Sequence, residues 1–292
     1  MICLVSVWVF VLTSCDQPKK TIKEGFIDVK QSEIYYTVRG KGNPIVLLHG
    51  GFLDHKMWEA QIDSLTENGY RVISLDLPGH GRTRNNDSSL FIQEFIRACL
   101  DSLGIKKATL VGCSMGGLSA AEFALAFPEM VDRLVLVSSL VTGYDQRYAH
   151  DSTALRYFSE FRDKIKIPDL PAAAEVFTRY WCDGLRASTE VDQKVRMYVY
   201  NTTLKSLESH RYSEWPKFDS SLAIDQLPSL GAPTLLIYGD KDLPIIIQAS
   251  KIIRELIPDA NVVEIKNTAH MVNMEAPEAF NRELLRFLKS AR

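Results

Sequence analysis

The stretch Gly112-Cys113-Ser114-Met115-Gly116-Gly117 constrains this chain more than any other. Before it, Lys107-Ala108-Thr109-Leu110-Val111 is short, apolar and rich in β-formers, as a buried strand should be. After it, residues 117–127 alternate small and apolar side chains in a helical pattern, and the run stops before Pro128. A strand that becomes a helix within two residues forces its apex residue into strained backbone and leaves room only for small neighbours. Gly112 and Gly116 meet that demand, and Ser114 is placed at a helix N-terminus, where free N–H groups and the helix dipole favour developing negative charge. Gly-x-Ser-x-Gly also occurs in ordinary turns, so its surroundings decide its meaning.

Those surroundings alternate strand with helix. Residues 25–29 and 33–40 alternate in polarity as two antiparallel strands would, whereas 44–50 is continuously apolar, as suits a strand buried on both faces. A helix ending at Glu67, a strand over 70–75, a loop over 76–83 and a helix over 88–103 lead to the strand that carries Ser114. A strand over 134–138 follows. The pattern then fails between about Val141 and Leu227, a largely helical stretch broken at Pro168, Pro171 and Pro216. It resumes with strands over 233–239 and 261–265 and ends in a helix over 277–290, whose apolar Phe280, Leu284, Leu285, Phe287 and Leu288 form a packing face. A mostly parallel sheet of eight strands, with helices on both faces and an insertion after the sixth strand, accounts for this order.

The 292 residues are 46% hydrophobic and 24% charged with a net charge of −2, a globular composition with no basic field for nucleic acid. The first residues differ from the rest. Residues 2–12 are apolar but too few to cross a bilayer as a helix, so they read as the core of a signal peptide spanning 1–14. Leu12-Thr13-Ser14-Cys15 resembles a bacterial lipobox, which implies a lipid on Cys15, a tether over 15–24 and a place at the bacterial cell envelope. No Lys or Arg precedes the apolar run, a departure from the usual signal. Cys99, Cys113 and Cys182 remain, too few and too irregular for a disulfide framework.

Serine needs a base, and the base needs an acid to orient it. Loops after two late strands offer both: Asp240 and Asp242 in Gly239-Asp240-Lys241-Asp242, and His270 in Asn267-Thr268-Ala269-His270-Met271. Open α/β sheets place their sites in such loops. His49 and His80 read as histidines bonded to backbone, and His55, His150 and His210 as solvated surface residues. No cluster has metal-ligand spacing, and no cofactor is implied.

Taken with His49-Gly50-Gly51, Asp76-Leu77-Pro78-Gly79-His80-Gly81 and Glu275-Ala276-Pro277, these motifs make the chain resemble the α/β-hydrolase superfamily from about Gly25 onward, in its branch with a helical cap. The resemblance implies a core over 25–140 and 228–292 with a cap over 141–227. It implies Ser114 as nucleophile, His270 as general base and acid, and Asp242 as the orienting carboxylate, with Asp240 and Asp145 as alternatives. It implies an oxyanion hole from the N–H of Met115 with that of Gly51 or Phe52. The expected activity is cleavage of a carboxylic ester, thioester or lactone through an acyl-enzyme on a small-molecule acyl substrate. A non-catalytic small-molecule-binding protein on the same fold is the competing expectation. Cap aromatics, among them Phe158, Phe177, Trp181 and Trp215, favour an apolar group if some of them face the cleft.

Overall fold

The computed structural model describes residues 22–86, 90–144, 152–184, 186–209, 211–215, 217–219 and 223–290. The signal-like run, Cys15, Asp145, His150 and His210 lie outside them. The strands are β1 (Lys23–Val29), β2 (Ser32–Arg39), β3 (Asn43–Leu48), β4 (Tyr70–Leu75), β5 (Arg84–Asn85), β6 (Ala108–Cys113), β7 (Val131–Val137), β8 (Thr234–Gly239) and β9 (Asn261–Ile265). They form one sheet in the order β1-β2-β4-β3-β6-β7-β8-β9. β1 and β2 pair antiparallel, β2 meets β4 antiparallel, and every pairing from β4 to β9 is parallel. The sheet thus has nine strands where the sequence predicts eight. The extra one, β5, pairs only Ser32–Asn85 and Glu33–Arg84 with β2. Two residues of polar backbone pairing leave no period of alternation to read. The insertion accordingly follows β7 in the full count.

Strand burial explains the layering. Ile45, Val46, Leu47 and Leu48 of β3 are fully buried, and every residue of β6 and β8 is buried, so both faces of the central sheet are covered. Helices α1 (Glu59–Glu67), α2 (Ile92–Ser102), α3 (Met115–Ala126), α7 (Pro244–Leu256) and α8 (Pro277–Lys289) belong to this core. Phe280, Leu284, Phe287 and Leu288 of α8 are buried at the spacing of one helical face, each contributing roughly 1.5–3 kcal/mol through burial. α2 begins at Ile92, four residues later than its sequence pattern predicts. Tertiary pairing sets that start: Phe91 is extended and bridges to Lys217, and the Ile92 N–H donates to the Lys217 carbonyl at 2.9 Å.

Between β7 and β8 lie α4 (Ser152–Lys166), α5 (Leu170–Phe177), a π-helical turn (Thr178–Asp183) and α6 (Gln193–Glu208). No strand occurs there among the described residues. Strand order reverses at β3: the chain leaves it toward β4 and later returns to β6 on its other side. The loops after β3 and β6 therefore diverge, opening a crevice at their C-terminal ends.

Candidate active site

Ser114 occupies that crevice. Its backbone takes φ 52° and ψ −116°, a conformation costly for a residue with a side chain, and α3 starts at the next residue. Close packing holds it there. The Ser114 N–H donates to the Val137 carbonyl at 2.9 Å, and its carbonyl accepts from Leu118 N–H at 2.9 Å and Ser139 Oγ at 3.1 Å. A Cβ on Gly112 would fall 2.1 Å from the Gly116 carbonyl oxygen, and one on Gly116 would fall 2.1 Å from that of Leu48. Both glycines are thus required by contact, as the sequence pattern demands.

The loop after β3 lies beside the serine, since a Cβ on Gly50 would sit 3.7 Å from Ser114 Cβ. It closes as a turn, Leu53 N–H to the Gly50 carbonyl at 3.2 Å, with Phe52 at φ 62°. A left-handed phenylalanine costs about 1–3 kcal/mol, and the two strained residues, Phe52 of this loop and Ser114 of the turn after β6, border one space. Met115 is the first residue of α3, and its N–H has no intrahelical partner.

His270 and Asp242 come together from separate loops. Asp242 follows β8, and its Oδ1 accepts the Leu243 N–H at 2.8 Å. His270 follows β9, and its Nδ1 lies 3.0 Å from Asp242 Oδ2 and 3.1 Å from Oδ1. Both side chains are almost wholly buried. With Nδ1 toward the carboxylate, Nε2 is the nitrogen on the far side of the ring. Asp240 does not reach the histidine: its Oδ1 accepts the Asn267 N–H at 2.6 Å, which fixes the base of the His270 loop.

Ser114, His270, Gly51, Phe52 and Met115 line one cavity of about 250 Å³. Its other walls are Tyr157, Phe158, Phe177, Trp181, Trp215, Phe218 and Met271, with Gly50 and Cys113. Trp181 stands with its ring centroid 4.5 Å from that of His270, and Phe52 makes edge contacts with Phe177 and Trp215. No lysine, arginine, aspartate or glutamate side chain lines this space among the described residues. Burial pushes the Cys113 and Tyr157 side chains far above their ordinary pKa, so both stay neutral. No group of three or more metal-ligating side chains occurs among the described residues.

The remaining histidines divide differently from their sequence reading. His49 bonds backbone on both sides, Nδ1 to the Gly50 carbonyl at 2.7 Å and Nε2 accepting from Leu77 N–H at 2.9 Å. His80 Nδ1 donates to the Pro78 carbonyl at 2.8 Å. His55 is not a solvated surface residue: its side chain is 13% exposed, and its Nδ1 lies 2.7 Å from Asp76 Oδ1. The pairing arises from folding of two loops onto each other, so nothing in its local sequence announces it. Sequence reasoning also passed over Tyr157 and Phe218. For Tyr157 a signal exists, because Ala154, Tyr157 and Phe161 fall on one face of α4.

Residues 43–277 match the family model described as alpha/beta hydrolase fold. A 2-hydroxy-6-oxononadienedioate/2-hydroxy-6-oxononatrienedioate hydrolase of Burkholderia vietnamiensis is 29% identical over 279 residues, which cover 90% of this chain and 93% of that protein. Among solved structures, a bromoperoxidase from Bacillus anthracis aligns with a TM-score of 0.76 and 26% identity over 92% of this chain and 100% of its own. An esterase from Exiguobacterium antarcticum aligns with a TM-score of 0.75 over 92% of this chain and 100% of its own; at 23% identity it is similar in fold.

Proposed function

This chain belongs to the α/β-hydrolase fold family, and we propose that within it the protein is a serine hydrolase that cleaves an ester, or a related acyl compound, carrying an uncharged apolar group. Ser114 attacks the carbonyl carbon while His270 Nε2 takes its proton. The Met115 N–H and the N–H of Phe52 or Gly51 receive the negative charge that develops on the carbonyl oxygen. The imidazolium then protonates the leaving alcohol, and Asp242 stabilises the charged ring through Nδ1. Water, deprotonated by the same histidine, frees the acid and restores Ser114.

One observation carries this reading: the strained Ser114 and the Asp242-oriented His270 border a single cavity walled by aromatic side chains. The wall chemistry also bears on the acyl group. A dioate carries two carboxylates, and burying them requires cations. The described lining residues supply none. A neutral acyl group suits that wall.

A fluorophosphonate probe tests the reading. Wild type should label and hydrolyse nitrophenyl esters, with Ser114→Ala and His270→Ala losing both. A folded wild type that does neither turns the cavity into a binding site, to be pursued through ligands that raise Tm. We infer further that a lipid on Cys15 anchors the chain to a bacterial envelope, a reading supported by the lipobox-like Leu12-Thr13-Ser14-Cys15. Cys15→Ser should move the protein from the membrane to the soluble fraction, and unchanged membrane attachment would exclude the anchor.

A further inference from the structure

Arg186 lies outside the cavity wall, yet it touches the loop that carries His270 in several places. Its Nη2 pairs with Glu275 Oε2 at 2.6 Å and its Nη1 donates to the Asn267 carbonyl at 2.9 Å. The same guanidinium donates to the carbonyls of Cys182 and Asp183 on its own segment, at 2.9 and 2.7 Å. The Glu275 side chain is 5% exposed, and its second oxygen accepts the N–H of Ala269 at 2.8 Å. Ala269 immediately precedes His270. The chain of contacts thus runs from the insertion, through one arginine and one carboxylate, to the backbone beside the histidine.

Neighbouring contacts make the junction tight. Gly184 takes φ 60°, and a Cβ there would fall 2.2 Å from the Lys241 carbonyl and 2.5 Å from Ala269 Cβ. The insertion therefore presses on the Asp242 loop and the His270 loop at one point. The π-helical turn that leads into it carries Trp181, whose ring lies against His270. π-helical turns interrupt regular helices where a side chain must be re-aimed, frequently at functional sites. The Asp242 loop also holds the His270 loop, with Lys241 N–H donating to the Thr268 carbonyl at 2.8 Å and Asn267 N–H to Asp240. An arginine fits this task because its planar fork can bond a carboxylate and a carbonyl at fixed angles, which an ammonium cannot.

We propose that Arg186, acting through Glu275, is a positioning residue that sets the height of His270 over Ser114 and so couples docking of the covering helices to reactivity of the serine. The proposal rests on the serine hydrolase reading given above. A displacement near 1 Å in a reacting group costs on the order of 100-fold in rate without changing the binding surface. Arg186→Lys keeps charge and bulk but loses the fork, so kcat on a nitrophenyl ester and the fluorophosphonate labelling rate should both fall roughly 10- to 100-fold. KM should stay within about twofold, because none of the altered contacts lines the cavity. Arg186→Ala should fall further and recover in part with millimolar guanidinium. Glu275→Gln should also slow both reactions, and the Arg186→Ala/Glu275→Gln double variant should be no slower than the worse single one, since both act on one link.

Wild type that labels, beside a folded Arg186→Lys with unchanged kcat, would overturn the positioning role and leave the hydrolase reading intact. A loss confined to KM, or additive losses in the double variant, would overturn it as well. If wild type neither labels nor cleaves esters, the hydrolase reading falls first and takes this proposal with it.

Discussion

Two aspartate–histidine pairs stand at the same end of the sheet, and their carboxylates are bonded differently. Asp76 meets His55 Nδ1 at 2.7 Å, and Asp242 meets His270 Nδ1 at 3.0 Å. Asp76 divides its oxygens among several loop groups: Oδ1 also accepts the His55 N–H and Oδ2 the Arg82 N–H, each at 2.8 Å. It sits so close under Gly81 that a Cβ there would fall 2.1 Å from Oδ2. Among the described residues Asp242 accepts one backbone N–H, that of the next residue, and it turns both oxygens to the imidazole. Its histidine borders the Ser114 cavity, whereas His55 does not. The first carboxylate closes a loop. The second is free to orient one ring. A histidine–aspartate contact therefore identifies nothing by itself; the other partners of the carboxylate, and what the ring faces, decide the role.

Changing each carboxylate to its amide should separate these roles. Asp242→Asn keeps the volume but offers an N–H toward Nδ1, which favours the wrong tautomer; ester hydrolysis should drop on the order of 10⁴-fold with little change in Tm. Asp76→Asn should do the opposite. It leaves two backbone donors and His55 with a weakened acceptor in a buried place, a loss of about 3–5 kcal/mol, which for a chain of this size lowers Tm by roughly 10 °C. Activity measured well below Tm should stay within several-fold of wild type. Thermal melts and ester kinetics on the two variants decide the matter, and a catalytic collapse in Asp76→Asn at unchanged Tm would reverse the assignment.

The same contrast marks how far the sequence could be read. Ser114, Asp242 and His270 could be picked out as candidates because each follows a strand whose apolar run is easy to recognise, and parallel strands place their following loops together. The central strands read well for a related reason, as burial on both faces leaves an uninterrupted apolar run. Local pattern carried less where the determining contact is distant. β5 exists only as two backbone pairings with β2, and the start of α2 is set by Lys217, more than a hundred residues away. His55 stands beside Asp54 and Lys56 in a polar stretch, and its partner is twenty-one residues on. Arg186 and Glu275 are separated by eighty-nine residues, and no period or motif links them. Aromatic content pointed to an apolar pocket only on condition that some rings face the cleft, and which rings do so depends on how the insertion docks.

The smallest effect is a pH dependence in which two histidines pull in opposite directions. Burial lowers the pKa of His80 to about 3. In the unfolded chain the same ring takes up its proton near 6.5, so between about 6.5 and 3 the unfolded state binds more protons and stability falls as pH falls. For His55, burial disfavours the charged ring, but the hydrogen bond and charge of Asp76 outweigh it and the pKa is raised. Its contribution is complete below about 6.5 and is lost as pH rises through the raised value. Burial likewise opposes ionisation of Asp76, but bonding to His55 prevails and its pKa is lowered. That stabilisation is complete above about 3.8 and is lost as pH falls through the lowered value, beneath most of the His80 window. One titrating group changes stability by at most about 1.4 kcal/mol per pH unit, so denaturant melts at half-unit steps resolve it. His80→Gln should be less stable than wild type at pH 7, having lost a fitted ring, yet lose less on going from pH 6.5 to 4. His55→Gln should keep that acid-side loss and flatten the side above pH 6.5. Parallel acid-side losses in wild type and His80→Gln would show that His80 takes up its proton in the folded protein, and the loss above pH 4 would then have to come from another buried histidine such as His49, whose pKa burial also lowers.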